Sequence, residues 1–537
     1  MNPGTLSNLL AHAAASKRGL RLLDRKERAT YYAYDEVRDR SLRMASWLRG
    51  QGVSAGDRVA LILPTSAHFF DAFFGAVHCG AIPVPMYPPV RLGRLDEYHE
   101  RTSAMLKNCD VRVVLTTRRI HRVLGRTAER TNIELGFVPI DLLDLTDLAA
   151  AEPVVPAPDD IAFIQFSSGT TARPKAIQLT HRAILANTMA IRDRILAEHP
   201  EADIGFEHSC VSWLPLYHDM GLVGCVFVAM SRPCDLTLIG PDHFLGRPAV
   251  WLRALSRYGG TVSPAPNFAY SLCAARVRDE ELEGVDLQRW LVAMNGAEPV
   301  TPKVLNAFAR RFAPFGFSPA SLTPVYGLGE ATLAVTFGSM RDRWRTQSFD
   351  REQLAIERRA VSSQNGGLEL VSVGTPLPGY QVDIRAEGQP LPKGALGEVW
   401  IAGPSLMLGY RALDEENQRV WDGDWLNTGD CGFMNEGELF LYGRTKDTIV
   451  VRGRNVAAQD IEQALDGLAG VRAGCVAAVG VLGEHGEELL VLVETTLSEP
   501  EARATLAREA QAAVSARCSL TAVIEVLDKG VLPRTSS

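Results

Sequence analysis

No two of the nine cysteines stand in the C-x-x-C spacing of a zinc ligand pair or a redox dithiol. They are scattered at Cys79, Cys109, Cys210, Cys225, Cys234, Cys273, Cys431, Cys475 and Cys518, an odd set that reads as reduced core thiols of a cytoplasmic protein. There is no arginine-rich run, and a formal net charge of -7 argues against a non-specific nucleic-acid binder. No apolar run is long enough for a transmembrane segment. The longest, MGLVGCVFVAM from Met220 to Met230, follows Asp219 directly and is expected to be a buried helix. The start, MNPGTLSNLLAHAAASKRG, has no basic cluster followed by a continuous apolar region, so it reads as neither secretory signal nor anchor. Its Leu6, Leu9 and Leu10 form a helical stripe instead. Internal repeats and low-complexity tracts are also missing.

What is present is an ordinary globular composition, 46% hydrophobic and 22% charged, in a chain of 537 residues. That is too long for one core, so a large region of several lobes plus a smaller one is expected. Short β-rich runs alternate with amphipathic ones: DRVALIL then SAHFFDAFFGAVHCG, HSCVSWLPL then GLVGCVFVAM, RWLVAMNGA then PKVLNAFARRF. The alternation predicts an α/β fold with parallel sheets covered by helices. Sites in such sheets lie beyond the carboxyl ends of the strands, where SSGTTARPK, PAPNF and NGAEP fall. From Tyr380 the texture changes to YQVDIRAE, GEVWIAGPS and ELFLYGR, short alternating runs that predict an antiparallel, barrel-like lobe. After Gly443 a small α+β domain is expected, with Arg444 to Asp447 as the boundary, giving domains of 1–443 and 444–537.

The stretch FIQFSSGTTARPKAIQLTH, Phe163 to His181, reads as a buried strand, a loop crowded with hydroxyls around Gly169, and a helix re-entered at Thr180 and His181. Backbone N–H groups, hydroxyls and Lys175 can converge there on anionic oxygens. It is not a Walker A loop, because the lysine follows Pro174 with no second glycine and no hydroxyl after it. An ordinary solvated turn would use the same residues.

The order SSGTTARPK, WLPLYHDMGL, PNFAYSLC, NGAEPV, VYGLGEATL, NTGD, YGRTKD and RGRN resembles the adenylate-forming superfamily of acyl-CoA synthetases, adenylation domains and luciferases. The wording of WLPLYHDMGL, PNFAYSLC, NGAEPV and RGRNVAAQDIE is most similar to the fatty acyl-AMP ligases. The match runs from about Thr5 to the C-terminus. The resemblance implies ATP and Mg2+ as cofactors, a medium or long-chain fatty acid as substrate, and acyl transfer to the phosphopantetheine of an acyl carrier protein, or of a polyketide synthase or nonribosomal peptide synthetase module.

Each motif also makes chemical sense by itself. Activating a carboxylate requires its oxygen to attack the α-phosphate while pyrophosphate leaves, so phosphate charge must be neutralised and two anions held together. By resemblance Ser168, Gly169, Thr170 and Thr171 contact phosphates and Lys175 assists. Tyr326, beside Gly327, offers a ring for adenine, and Glu330 a carboxylate for magnesium. As plain structure the same two residues would cap a strand and favour a helix start. Gly296 and Ala297 would allow close approach of a base, with Glu298 adding a polar contact. Asp430 would accept ribose hydroxyls, and Arg444 would clamp the ribose from the other side. His218 is placed by the family near the acyl group, where Met220, Gly221, Val223, Asn267 and Phe268 would line an alkyl tunnel. Any core helix needs such residues too. Lys446 is the family's hinge position.

Two features bear on the acceptor. The stretch Gly338 to Leu370 interrupts a connection that is short in CoA ligases, and fatty acyl-AMP ligases carry an insertion there, often with a stretch that Asp350 to Leu354, DREQL, resembles. The insertion, at about 338–367, is expected to restrain the small domain from its thioester-forming pose. The final VLPRTSS stops two positions before the lysine of the superfamily's P-R-T-x-S-G-K, so the natural chain either was trimmed or continues. A fatty acyl-CoA ligase is the close alternative, and a nucleotide-binding regulator that kept the fold but lost the chemistry is the third.

Overall fold

The computed structural model describes residues 4–89, 95–167, 174–200, 208–364, 366–451, 454–483, 486–518 and 520–532. Three sheets with parallel pairing carry the larger region. In one, Arg58–Ile62, Ile82–Pro85, Val111–Thr116 and Phe137–Pro139 are all parallel. In another, Gly19–Leu23 and Ser209–Ser212 flank Asp235–Ile239 in parallel, with Ala29–Ala33 added antiparallel at the edge. In the third, Ala265–Pro266, Ala293–Gly296 and Leu322–Gly327 run parallel before Ala334–Phe337 and Thr375–Pro376 turn antiparallel.

The helix Ala67–Cys79 is buried from Phe69 onward, and its one acid, Asp71, is paired there with Arg40 at 2.6 Å, as a buried charge must be. Its Phe73 ring meets Phe163 at 5.8 Å and Phe227 at 5.9 Å, which ties the loop-bearing strand to the Met220–Met230 segment. That segment is buried as expected, but it is not one regular helix. Asp219–Gly221 and Val228–Ser231 are α-helical and Leu222–Phe227 is a π turn, a form that recurs at functional sites. At the N-terminus, helix Leu6–Ala14 is capped by Thr5 and buries Leu6, Leu9 and Leu10, the expected stripe.

One expectation is corrected. Helix His181–Glu198 starts where expected, with Thr180 as its cap, but a strand stands between it and the loop after Phe166. Ala176–Thr180 forms that strand, antiparallel to Ile161–Phe166. Ala176, Ile177 and Leu179 are buried, and Gly409–Tyr410 pairs along the other edge. The strands on either side of that loop are therefore antiparallel partners, and no strand-to-helix connection follows it directly.

Beyond Tyr380 the antiparallel lobe is present, with Gln381–Ala386, Gly397–Ala402, Trp425–Asn435 and Glu438–Arg444 paired in succession. Gly374 (φ +84°) must lack a side chain, since a Cβ there would lie 1.9 Å from the Phe337 carbonyl oxygen. After Arg444 a second hydrophobic core gathers Ile449, Ile461, Leu489, Val491, Leu506 and Val514. It is built from Ala458–Ala464, Pro500–Cys518 and the sheet of Val471–Gly483, Gly486–Thr495 and Ala522–Asp528. All nine cysteines are free and buried. Among the described residues no helix is long and apolar enough to cross a membrane.

Candidate active site

The chain reverses sharply after strand Leu322–Gly327, and the tight turn Gly329–Ala331 brings Glu330 over the end of the sheet. Thr332, which follows, holds φ +70° although β-branched and fully buried, and its hydroxyl donates to the Ser405 carbonyl at 2.7 Å. Such strain persists only where surroundings enforce it. Asn187 supplies part of that enforcement: its amide nitrogen donates to the carbonyls of Ala331 and Ala334 at 3.3 and 2.8 Å.

This turn opens on a cavity of about 540 Å³. Ten of the residues singled out in the sequence line it: Lys175, His218, Met220, Ala297, Tyr326, Gly327, Glu330, Asp430, Arg444 and Lys446. Ala297 sits at φ +63°, a second strained non-glycine position at the cavity wall. The Tyr326 hydroxyl donates to Asp430 Oδ2 at 2.7 Å, and Arg444 Nε lies 3.3 Å from Asp430 Oδ1. Burial raises the Asp430 pKa above the usual carboxylate range, against the opposing pull of Arg444. Burial likewise raises Glu330, whose Oε1 accepts from the Tyr410 hydroxyl at 2.7 Å. His218 Nδ1 stands 2.7 Å from Asp219 Oδ1; burial would lower its pKa, but the Asp219 carboxylate prevails and raises it.

Other predicted residues lie outside the lining. Gly296 serves strand approach, since a Cβ there would meet Val325 Cγ2 at 2.7 Å. The Glu298 carboxylate accepts the Phe268 backbone N–H. Phe268 packs edge-on to Trp213 at 5.8 Å, and Asn267 Oδ1 accepts from the Asn295 amide at 3.0 Å. Gly221 is held by close approach to the Pro215 carbonyl, and Val223 is fully buried in the core. Ser168, Gly169, Thr170 and Thr171, and the terminal PRTSS, lie outside the described residues.

The cavity also has lining that the motifs did not announce. Gly224, Leu333 and Phe337 give it an apolar wall, with Gly224 so close to Leu333 that a Cβ would lie 2.9 Å from its Cδ2. Tyr410, Glu416 and Arg419 add a polar wall. Gln165 completes it, donating to the Tyr217 carbonyl at 2.7 Å. One site thus combines an apolar wall, two buried carboxylates of raised pKa, and four cations, Lys175, Arg419, Arg444 and Lys446. It can hold an apolar molecule and a polyanion side by side.

A profile of AMP-binding enzymes matches residues 10–411. A protein of Caulobacter vibrioides, named provisionally as an acyl-CoA synthetase, is 33% identical over 541 residues, across 99% of this chain and 93% of its own. The long-chain-fatty-acid–AMP ligase FadD26 of Mycobacterium marinum is 33% identical over 544 residues, across 96% of this chain and 91% of its own. A solved structure from work on fatty acyl-adenylate ligases of E. coli and L. pneumophila superposes with a TM-score of 0.91 at 32% identity, covering 99% of this chain and 95% of that one. With a family match over most of its length and relatives aligned nearly end to end, the chain belongs to the AMP-binding enzymes of the adenylate-forming superfamily.

Proposed function

We propose that the protein is a fatty acyl-AMP ligase, which joins a medium or long-chain fatty acid to AMP, releases pyrophosphate, and passes the acyl group to the phosphopantetheine thiol of a carrier protein or synthase module. The observation that carries this reading is the joining, in one cavity, of the apolar wall of Gly224, Leu333 and Phe337 to the polar set of Lys175, Glu330, Asp430 and Arg444. Asp430 accepts ribose hydroxyls and Arg444 braces it, while Tyr326 fixes the carboxylate and offers its ring to adenine. The acid's oxygen forms a bond to the α-phosphorus as the bond to the bridging oxygen breaks, and Lys175 offsets charge that grows on the departing pyrophosphate. His218 beside Asp219 stands near the acyl carboxylate. Magnesium fits the donor set: Glu330 is a buried carboxylate with a hard oxygen, and this ion takes one or two carboxylates plus phosphate oxygens and water. When bound it supplies neutralisation of the triphosphate.

The carrier is favoured over CoA by the insertion. Strands Thr346–Phe349 and Leu368–Val371 pair as a hairpin that frames helix Arg351–Ala355, and Leu354 is fully buried beneath it. Arg351 forms an ion pair with Asp460, which also receives Arg517 Nε at 3.2 Å. We take residues 1–443 as the adenylation domain, 444–537 as the small domain, Lys446 as its hinge and the cytoplasm as its place. Arg351 then braces one domain on the other. Pyrophosphate release measured with acids of increasing length tests the function, and no stimulation by any acid refutes it. If acyl-CoA is the main product when CoA is supplied, the acceptor is CoA and the brace has no such role.

A further inference from the structure

Beside Lys175, a short helix places two charged side chains in the cavity wall, and neither belongs to the nucleotide contacts above. Glu416 and Arg419 both lie on Asp414–Val420. Glu416 Oε1 forms an ion pair with Lys175 Nζ and accepts from Arg419 at 2.6 Å. Lys175 Nζ also stands 4.6 Å from the centre of the Tyr410 ring, whose hydroxyl holds Glu330. One carboxylate oxygen therefore sits between two cations at the wall of a site meant for a polyanion.

A role in fastening the helix does not account for this. The helix is already attached: Asn417 accepts from the Tyr410 N–H at 2.7 Å and donates to its carbonyl at 2.8 Å, and Arg411 N–H reaches the Ala176 carbonyl at 2.9 Å. Val420 is buried as well. The Arg419 side chain remains 73% exposed, so it makes little packing contact of its own. The Lys175–Glu416 pair is partly exposed, at 26% and 20%, and pairs of that kind are weak and readily exchanged.

We propose that Glu416 stands in for the β- and γ-phosphates between Lys175 and Arg419, and that entering ATP displaces it, leaving Arg419 as the second cation of the pyrophosphate subsite. This rests on the adenylating reading above. Arg419 then acts on the two outer phosphates only, and Glu416 competes with them. AMP, which lacks both, feels neither residue.

The test is calorimetric titration of the full chain with ATP and with AMP, in magnesium buffer and without any acid. Arg419→Ala is expected to weaken ATP about tenfold, the scale of one charge-assisted hydrogen bond, and to leave AMP within about twofold. Arg419→Lys should recover most of the loss. Glu416→Gln should tighten ATP about threefold with AMP unchanged, since a competing anion is gone while the shape is kept. Melting curves on each variant verify the fold. Equal weakening of ATP and AMP in Glu416→Gln overturns the proposal in favour of a structural role, and so does an unchanged ATP affinity in Arg419→Ala. If the native chain binds neither nucleotide, the adenylating reading fails and this inference falls with it. If both nucleotides behave as stated but no acid releases pyrophosphate, only the fatty acid assignment is lost.

Discussion

Gly224 offers a direct measure of where the acyl chain runs. It lies in the π turn Leu222–Phe227, lines the cavity, and faces Leu333, with Met220 Cγ 3.8 Å from the place of a Cβ. Gly224→Val adds three carbons at that wall. The Leu333 contact of 2.9 Å involves the flexible end of a side chain, which can shift, and a glycine replaced within a helical turn is not a backbone loss. The fold should therefore survive. If the added carbons take the room of about three methylenes, each worth about 0.8 kcal/mol of burial, long acids lose about 2.4 kcal/mol, or about 60-fold in kcat/KM. Acids too short to reach the wall should keep their rate. The assay is pyrophosphate release over a ladder of saturated acids, with melting temperature as control. A loss uniform across the ladder, or none at all, would refute the path of the chain along Gly224.

Glu330→Ala should cut magnesium-dependent adenylation by about 10²-fold or more, because charge stabilisation at the leaving pyrophosphate is lost; normal turnover would remove Glu330 from the site. Asp430→Ala should raise the KM for ATP about tenfold with little change in kcat, since ribose contacts are alike in ground and transition states, and a pure kcat defect would contradict that role. His78 and His181 are buried neutral, with burial holding both pKa values down to about 4 from 6.5. The unfolded chain takes up their protons below pH 6.5 and the native one does not, so stability is complete above that pH and falls toward pH 4, by about 3 kcal/mol for each histidine. Urea midpoints between those limits should drop less in His78→Gln than in the native chain, and parallel curves would sink the assignment. Arg351→Ala should raise acyl-CoA formation in the presence of CoA while acyl adenylate formation stays within a few fold. Loss of both products would make the insertion a structural element only.

Much of the fold was legible because its signals are local. The Leu6, Leu9 and Leu10 stripe and the phenylalanine-rich FFDAFFGAV each mark a buried surface without reference to distant residues. The strand AIQLT, Ala176–Thr180, escapes a local reading for the opposite reason. Thr180 does cap a helix, its hydroxyl accepting the Ala183 N–H at 3.1 Å, and that local signal was read correctly. What makes the five residues before it a strand is pairing on both edges, and one partner, Gly409–Tyr410, lies more than two hundred residues away. Local propensity carries no trace of such a partner.

The same asymmetry divides the site. Asp430, Glu330 and Tyr326 stand in short motifs whose residue types suit nucleotide chemistry, and the fold brings all three to one cavity. Glu416 stands in DEENQRV, where three acids at a helix start read as favourable partners of the helix dipole and nothing more. Only the pairing of Gly409–Tyr410 with Ala176–Thr180 turns that helix toward Lys175, and with it Tyr410 toward Glu330. Arg351 is similar: DREQL identifies a loop by resemblance, but its pairing with Asp460 joins residues 109 positions apart. Groups that bind the constant part of a nucleotide can be spelled in contiguous words. Groups that set charge between distant strands, or hold one lobe against another, are created by topology, and their chemistry becomes visible only when the chain is folded.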